Sequence, residues 1–186
     1  MIGIFESEQE IKDYIIQASL NPENIRSTPH GERRLSYRNL KTIIGVTCYI
    51  IFNNKLLILE RSPTVKYGGK WGTVSGYVDN LEIIHTSGQI LRDHIIKEIQ
   101  EEIGWDLNYL MPLKYCNSHA LIEPNIKIHF ELFTLSISQD PPDIKLNPEH
   151  LSYRWIELVK ITDLKQTLIT QFIEGLEKCN LLIPNT

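Results

Sequence analysis

The chain has 186 residues, 42% of them hydrophobic, and a formal net charge of −4. That is room for one domain with a sizeable core, and the balance of charge argues against nucleic acid or an anionic membrane surface as a partner. Cys48, Cys116 and Cys179 are scattered without CxxC spacing, the N-terminus has no signal-peptide pattern, and no apolar run nears the roughly 20 residues of a membrane span; reduced thiols in a cytoplasmic protein are expected.

In chain order, Ser7 with Glu10 three residues on is a capping-box pattern, and Ile11, Tyr14, Ile15 and Ala18 follow at helical spacing. A helix is expected over about 8–20, ended by Asn21-Pro22. Residues 21–42 are polar and carry Arg26, Arg33, Arg34 and Arg38. They read as a surface strap or a lip over a site. "TIIGVTCYIIF" and "KLLILER" flank Asn53-Asn54, a hairpin signal. "SPTVKYGGKWG" is a loop, and "TVSGYV" a short strand entering a turn at Gly76.

From about 89 to 103, Leu91, Ile95, Ile99 and Ile103 recur every fourth residue and Gly104 is placed as the stop. Strands are expected at about 112–122 and 126–138. In the second, Ile126, Ile128, Phe130 and Leu132 alternate with Lys127, His129 and Glu131. The polar face is read as solvated, or as lining a pocket. "YRWIEL" is another strand. A last helix is expected from Thr162 or Asp163, carrying Leu164, Leu168, Ile169, Phe172, Ile173 and Leu176. Helices interrupting a largely hairpin-built sheet point to an α/β sandwich.

The chemistry concentrates in "KEIQEEIG". At about 100° per residue, Glu98, Glu101 and Glu102 fall within roughly 80° of arc beside the apolar stripe. Carboxylates so close repel unless a proton or a cation sits among them. A solvated helix face and a metal site both fit that stretch taken alone. His94, one turn earlier on the same side, is read as a loop partner, because hard cations favour oxygen.

Further residues decide for the metal site. Gly76, Glu82, Glu98, Ile99, Glu101, Glu102, Gly104 and Trp105 match Gly-x5-Glu-x7-Arg-Glu-U-x-Glu-Glu-x-Gly-U, with U bulky and apolar. This resembles the signature of the Nudix hydrolases. "GGKWGTVSG" resembles the family's approach to that box, and "NPEHLSYRWIEL" its later Glu-then-Trp segment. There are two departures. Lys97 stands where the family has an arginine that anchors the loop, and it lacks the planar fork. Also, 14 residues (83–96) separate Glu82 from Lys97, twice the x7 of the pattern, so Asp79 or Gln89 are alternatives to Glu82.

The resemblance implies a Nudix-type α/β/α sandwich with a mixed, mainly hairpin-built sheet. It implies one domain over 1–186, with a core at 43–178 and residues 1–42 as an N-terminal extension. It further implies hydrolysis of a diphosphate bond in a nucleoside diphosphate linked to another moiety, by water attack on phosphorus. Mg²⁺ is the implied cofactor, with Mn²⁺ as its substitute, held by Glu98, Glu101, Glu102 and Glu82. The helix glutamates carry the catalysis, with Glu149 as the candidate base from a later loop. Arg61, Trp71, Gly76 and Glu131 are the candidate substrate contacts, Trp71 being read first as packing. The expected partner is a small nucleotide-type diphosphate, with neither nucleic acid nor membrane involved. Homodimers are common in the resembled family. A non-catalytic nucleotide-binding regulator and an isopentenyl-diphosphate-isomerase-like enzyme are the alternatives on the same scaffold.

Overall fold

The structure is a computed structural model and describes residues 4–106, 112–123 and 126–182. Residues 1–3 of the expected extension, residues 183–186 of the expected single domain and the side chain of Ile126 lie outside that set. Helix α1 (Glu8–Leu20) starts where Ser7 Oγ accepts from the Glu10 amide at 3.2 Å. Glu10 returns a contact to the Glu6 amide at 2.8 Å, one residue earlier than a regular capping box. Ile11, Ile15 and Ala18 are its buried edge.

Residues 21–42 are more regular than a strap. Strands β1 (Ile25–Ser27) and β2 (Arg33–Leu35) form an antiparallel hairpin with Arg26 opposite Arg34. Its anchor is the buried Leu35, whose amide donates to the Asp79 carbonyl at 2.7 Å. Tyr37 Oη donates to the Val78 carbonyl at 2.7 Å.

Strands β3 (Ile43–Phe52) and β4 (Lys55–Arg61) turn at Asn53 and Asn54, whose φ values of 47° and 59° are what a primed hairpin turn demands. Next come β5 (Trp71–Gly72), β6 (Val74–Tyr77), α2 (Leu81–Thr86) and α3 (Ile90–Ile103). Strands β7 (Leu113–Glu123), β8 (Ile126–Ile137) and β9 (His150–Glu157) and helix α4 (Phe172–Lys178) complete the order. The β3–β4 hairpin opens soon after its turn, with Ile51↔Leu56 and Phe52↔Lys55 in register. Beyond that point β3 takes β6 on the side it vacated and β4 takes β5, while β9 pairs with β4 from Lys55 to Arg61 on its other side. On its other side β3 runs parallel to β8 from Ile43↔Ile128 to Phe52↔Ile137, so the sheet is mixed.

Helices α1 and α3 cover one face, where Ile11, Ile15, Ile95, Ile99 and Ile103 pack with Ile44, Val46 and Leu135. Helix α4 and a 3₁₀ stretch at Leu158–Thr167 cover the other, packing Ile161, Phe172 and Leu176 on Tyr49, Ile58 and Leu132. These are the layers of an α/β/α sandwich. No helix among the described residues is long and apolar enough to cross a membrane.

Two expectations are corrected. The last helix does not begin at residue 162 or 163. Its backbone leaves the helical path at Leu168, which bridges to Trp71, and the Ile169 amide donates to the Trp71 carbonyl at 2.9 Å. Gln171 then takes φ 65° before α4 starts. The apolar spacing was real, but the edge of β5 claims the backbone donor. On β8 the faces are reversed in role. His129 and Glu131, 1% and 3% exposed, lie under the N-terminal segment with Nε2 and Oε1 2.6 Å apart and the Phe5 ring edge-on to His129. The mutual contact is what makes burial of this polar pair tolerable. Ile128, Phe130 and Leu132 instead line the large cavity described next.

Candidate active site

The apolar stripe of α3 rotates Glu98 and Glu102 toward the glycine-bearing strand β6. Glu102 is 3% exposed, and its Oε2 accepts from the Ser75 amide at 3.3 Å. His150 Nε2 lies 3.3 Å from Glu102 Oε1, off the line of a hydrogen bond. Glu98 lies flat against Gly76, where any Cβ would collide with its carboxylate. A side chain at Gly76 would push the Glu98 carboxylate out of its place. Glu101 is the most exposed of the three and pairs with Lys97 on its own helix and with Arg34 at 3.7 Å.

Electrostatics follow from this crowding. Burial, then repulsion from Glu102, Glu101 and Asp79, pushes the Glu98 carboxyl up to about 8. Burial drives Glu102 well above the usual carboxylate range. Asp79 is raised by burial against the opposing pull of Arg34 and Arg26. Burial, with Arg61 nearby, pushes His150 down to about 4.

The lengthened loop is not a lid. It folds into α2, with Asn80 Oδ1 capping the Ile83 amide at 3.0 Å and Leu81 and Ile84 buried. Its junction with α3 is made by His94, wholly buried, whose Nδ1 faces the Ile90 carbonyl at 2.7 Å while Nε2 accepts from the Asn80 amide at 3.0 Å. Those partners require the neutral tautomer with the proton on Nδ1, and burial holds the ring's pKa down to about 4. His94 is thus a loop partner. Lys97, in the place of the family's anchoring arginine, pairs with Glu101. The loop is held instead by His94 and by the Leu35 amide on the Asp79 carbonyl at 2.7 Å, with Arg34 and Arg26 beside the Asp79 carboxylate at 3.4 and 3.2 Å.

These groups open into a cavity of about 880 Å³. Glu98, Glu101, Glu102, Glu149, Arg61 and Gly76 of the expected site all line it. Arg61 is steadied by its Nε donating to the Lys66 carbonyl at 2.8 Å. Three expected site residues lie elsewhere. Glu82 is exposed in the first turn of α2, outside the cavity, because the extra residues coil into a helix that carries it away. Asp79, just ahead of that helix, takes the position on the cavity wall; Gln89, the other alternative, is outside. Trp71 is buried in the second core, with Arg154 Cζ 4.6 Å from its ring centroid, so it packs. Glu131 faces the opposite side of β8 with His129.

Sequence reasoning missed the far end of the cavity, where Tyr49, Phe130, Leu132 and a His119–Gln171 pair at 2.6 Å meet. The left-handed backbone of Gln171, just ahead of α4, places its side chain beside His119. Among the described residues, no group of three His, Cys, Asp or Glu side chains is placed to hold a metal ion as it stands. The donors are oxygens on one side of an open cavity. That suits Mg²⁺, which keeps waters and completes its octahedron with substrate oxygens. The mutual repulsion at Glu98 is what a cation there would relieve.

Fold and site together define a domain in which a carboxylate helix faces a glycine loop across a ligand-sized cavity. The family model for the NUDIX domain matches residues 41–174, and the chain belongs to the Nudix family. The MutT protein from Methanosarcina mazei Go1 is 24% identical and covers 76% of this chain and 95% of its own, with TM-score 0.60. The Nudix domain of Shewanella oneidensis NrtR, solved with ADP-ribose, is 14% identical and covers 94% of this chain and 97% of its own, with TM-score 0.59. A C. elegans Ap4A hydrolase is 19% identical over 74% of this chain and 95% of its own, with TM-score 0.51. These likenesses show the fold. A search of curated proteins found no match.

Proposed function

We propose that the chain is a Mg²⁺-dependent hydrolase that cleaves the diphosphate bond of a nucleoside diphosphate joined to another group. The observation that carries this is the convergence of Glu98, Glu101 and Glu102 with Arg26, Arg34, Arg61 and Lys66 on one cavity. Acids and bases so arranged meet a diphosphate in two ways, through a bridging cation and directly through its oxygens. Glu98, Glu102 and Glu101 would hold the ion, with Asp79 in reserve. When bound, Mg²⁺ supplies charge neutralisation on the phosphates and a bound water of lowered pKa.

The protein's own groups do the rest. Arg61 and Lys66, on the same cavity, orient the phosphates. Glu149 stands beside His150, at the edge of the cavity, and takes the proton of the attacking water. His150, kept neutral by burial, backs the buried Glu102. The far end, with Phe130 and Tyr49 as apolar surfaces and His119 and Gln171 as hydrogen-bonding groups, has the character of a nucleobase pocket. The Nudix relatives solved with ADP-ribose and named for Ap4A share the fold and support this class of ligand.

The test is Mg²⁺-dependent release of phosphate-bearing products across nucleotide sugars, ADP-ribose, dinucleoside polyphosphates and triphosphates. Glu98→Gln is expected to abolish turnover. Glu149→Gln is expected to lower kcat by roughly 10²–10⁴-fold with KM little changed. If no substrate turns over while one raises the melting temperature, the hydrolase reading gives way to a nucleotide-binding regulator.

A further inference from the structure

We infer that Arg34 is an exchangeable cation of the site. It competes with a divalent cation for Glu101 and Asp79, and passes to a substrate phosphate once that cation binds. The inference rests on the metal–diphosphate reading above. It adds a residue that the NUDIX match over 41–174 does not contain.

The first ground is placement. The β1–β2 hairpin is fastened to the loop behind Gly76 by the Leu35 amide on the Asp79 carbonyl and by a bridge between Arg34 and Asn80. The backbone at Arg34 is therefore fixed, and its side chain, 22% exposed, reaches over the acidic cluster along the cavity wall. The second ground is how its bonds divide. Glu32, on the same hairpin, accepts from Arg34 Nη2 at 2.8 Å and Nε at 3.1 Å. The site acids are held more loosely, Asp79 at 3.4 Å from Nη1 and Glu101 at 3.7 Å from Nη2. Contacts of that length are weak and easily exchanged, while Glu32 keeps the guanidinium in place.

The third ground is charge. A divalent cation on Glu101 draws off the carboxylate charge that attracts Nη2, and repels the guanidinium at short range. Phosphate oxygens beside such a cation would accept in pairs from the N–H groups of the planar fork. The exchange pairs acid with arginine before, and acid with metal and arginine with phosphate after. Lys97, also on Glu101, cannot take over this role, since it lies on α3 and lacks the fork.

The experiment uses the full chain as wild type, Arg34→Gln and Arg34→Lys. Mn²⁺ binding is followed by electron paramagnetic resonance without nucleotide, and pyrophosphate binding by calorimetry with Mg²⁺. For Arg34→Gln the two affinities should move in opposite directions. Mn²⁺ binds about threefold to tenfold tighter because one of its competitors is gone, and pyrophosphate binds roughly tenfold or more weaker. Arg34→Lys keeps the charge and loses the fork, so Mn²⁺ affinity stays within about twofold while pyrophosphate weakens severalfold. Both affinities falling together would mark a merely structural residue and overturn the inference, as would no change in either. Should Arg34→Gln not fold, the split shown by Arg34→Lys decides alone. A wild type that neither binds Mn²⁺ nor hydrolyses any diphosphate defeats the underlying reading. A wild type that does both, with no split in the variants, defeats only the role of Arg34.

Discussion

Burial, then the charges of Glu102, Glu101 and Asp79, hold the Glu98 carboxyl at about 8 against an ordinary 4.5. Such a group favours the folded chain while protonated in it. Its contribution is complete below about 4.5 and is lost as pH rises through about 8. His94 and His150, held down to about 4, act in the opposite sense and cost stability as pH falls from about 6.5 toward 4. The Glu98→Gln variant separates the two. In chelator, its melting temperature should exceed that of the wild type at pH 8.5, and the gap should close at pH 5. Mg²⁺ should stabilise the wild type at pH 8.5 and leave the variant nearly unmoved. Gly76→Ala is the complementary probe. Its Cβ displaces the Glu98 carboxylate, so kcat should fall by roughly 10² or more while the circular dichroism spectrum stays native.

Among the elements, the joint between α2 and α3 carries the greatest strain of responsibility, because one imidazole satisfies both sides of it. His94→Ala leaves the Asn80 amide without its acceptor and opens a cavity beside Ile90. A loss of about 2–4 kcal/mol in denaturant unfolding is expected, with kcat reduced as Asp79 drifts. Helix α3 itself was legible from its four-residue stripe and from Gly104, which takes φ 75° as a left-handed stop should. So was the β3–β4 turn, since two adjacent asparagines tolerate positive φ. Helix α2 was not, because "LEIIHT" is too short for periodicity to speak. The His129–Glu131 pair was misread for a related reason. Alternation tells which residues share a face, but not which face a later helix will cover. The last helix failed where a sheet edge, far away in sequence, competed for its backbone.

At the scale of the whole molecule, the extension packs against the family core. Helix α1 packs Ile11 and Ile15 against the α3 side of the sheet, and Tyr14 Oη donates to the Thr42 carbonyl at 2.9 Å. Deleting residues 1–40 would bare this face as well as remove Arg34. The truncated chain should bind a hydrophobic dye and lose cooperative unfolding, whereas Arg34→Gln keeps both properties of the full chain. The carboxylate helix, the glycine strand and the capping hairpin thus depend on one another through the loop at Val78–Asn80.

That dependence has a use. Gly88 follows α2 at the exposed end of the lengthened loop, with open space around its Cα. The positions that matter to the carboxylates, Asn80 and His94, are clamped on either side of it. A fluorophore-bearing peptide or a short affinity tag grafted at Gly88 would sit on the exposed turn ahead of α3, linked to the carboxylates through that helix and outside their cavity. The same segment that disguises the family signature in the sequence offers a place from which to watch the site at work.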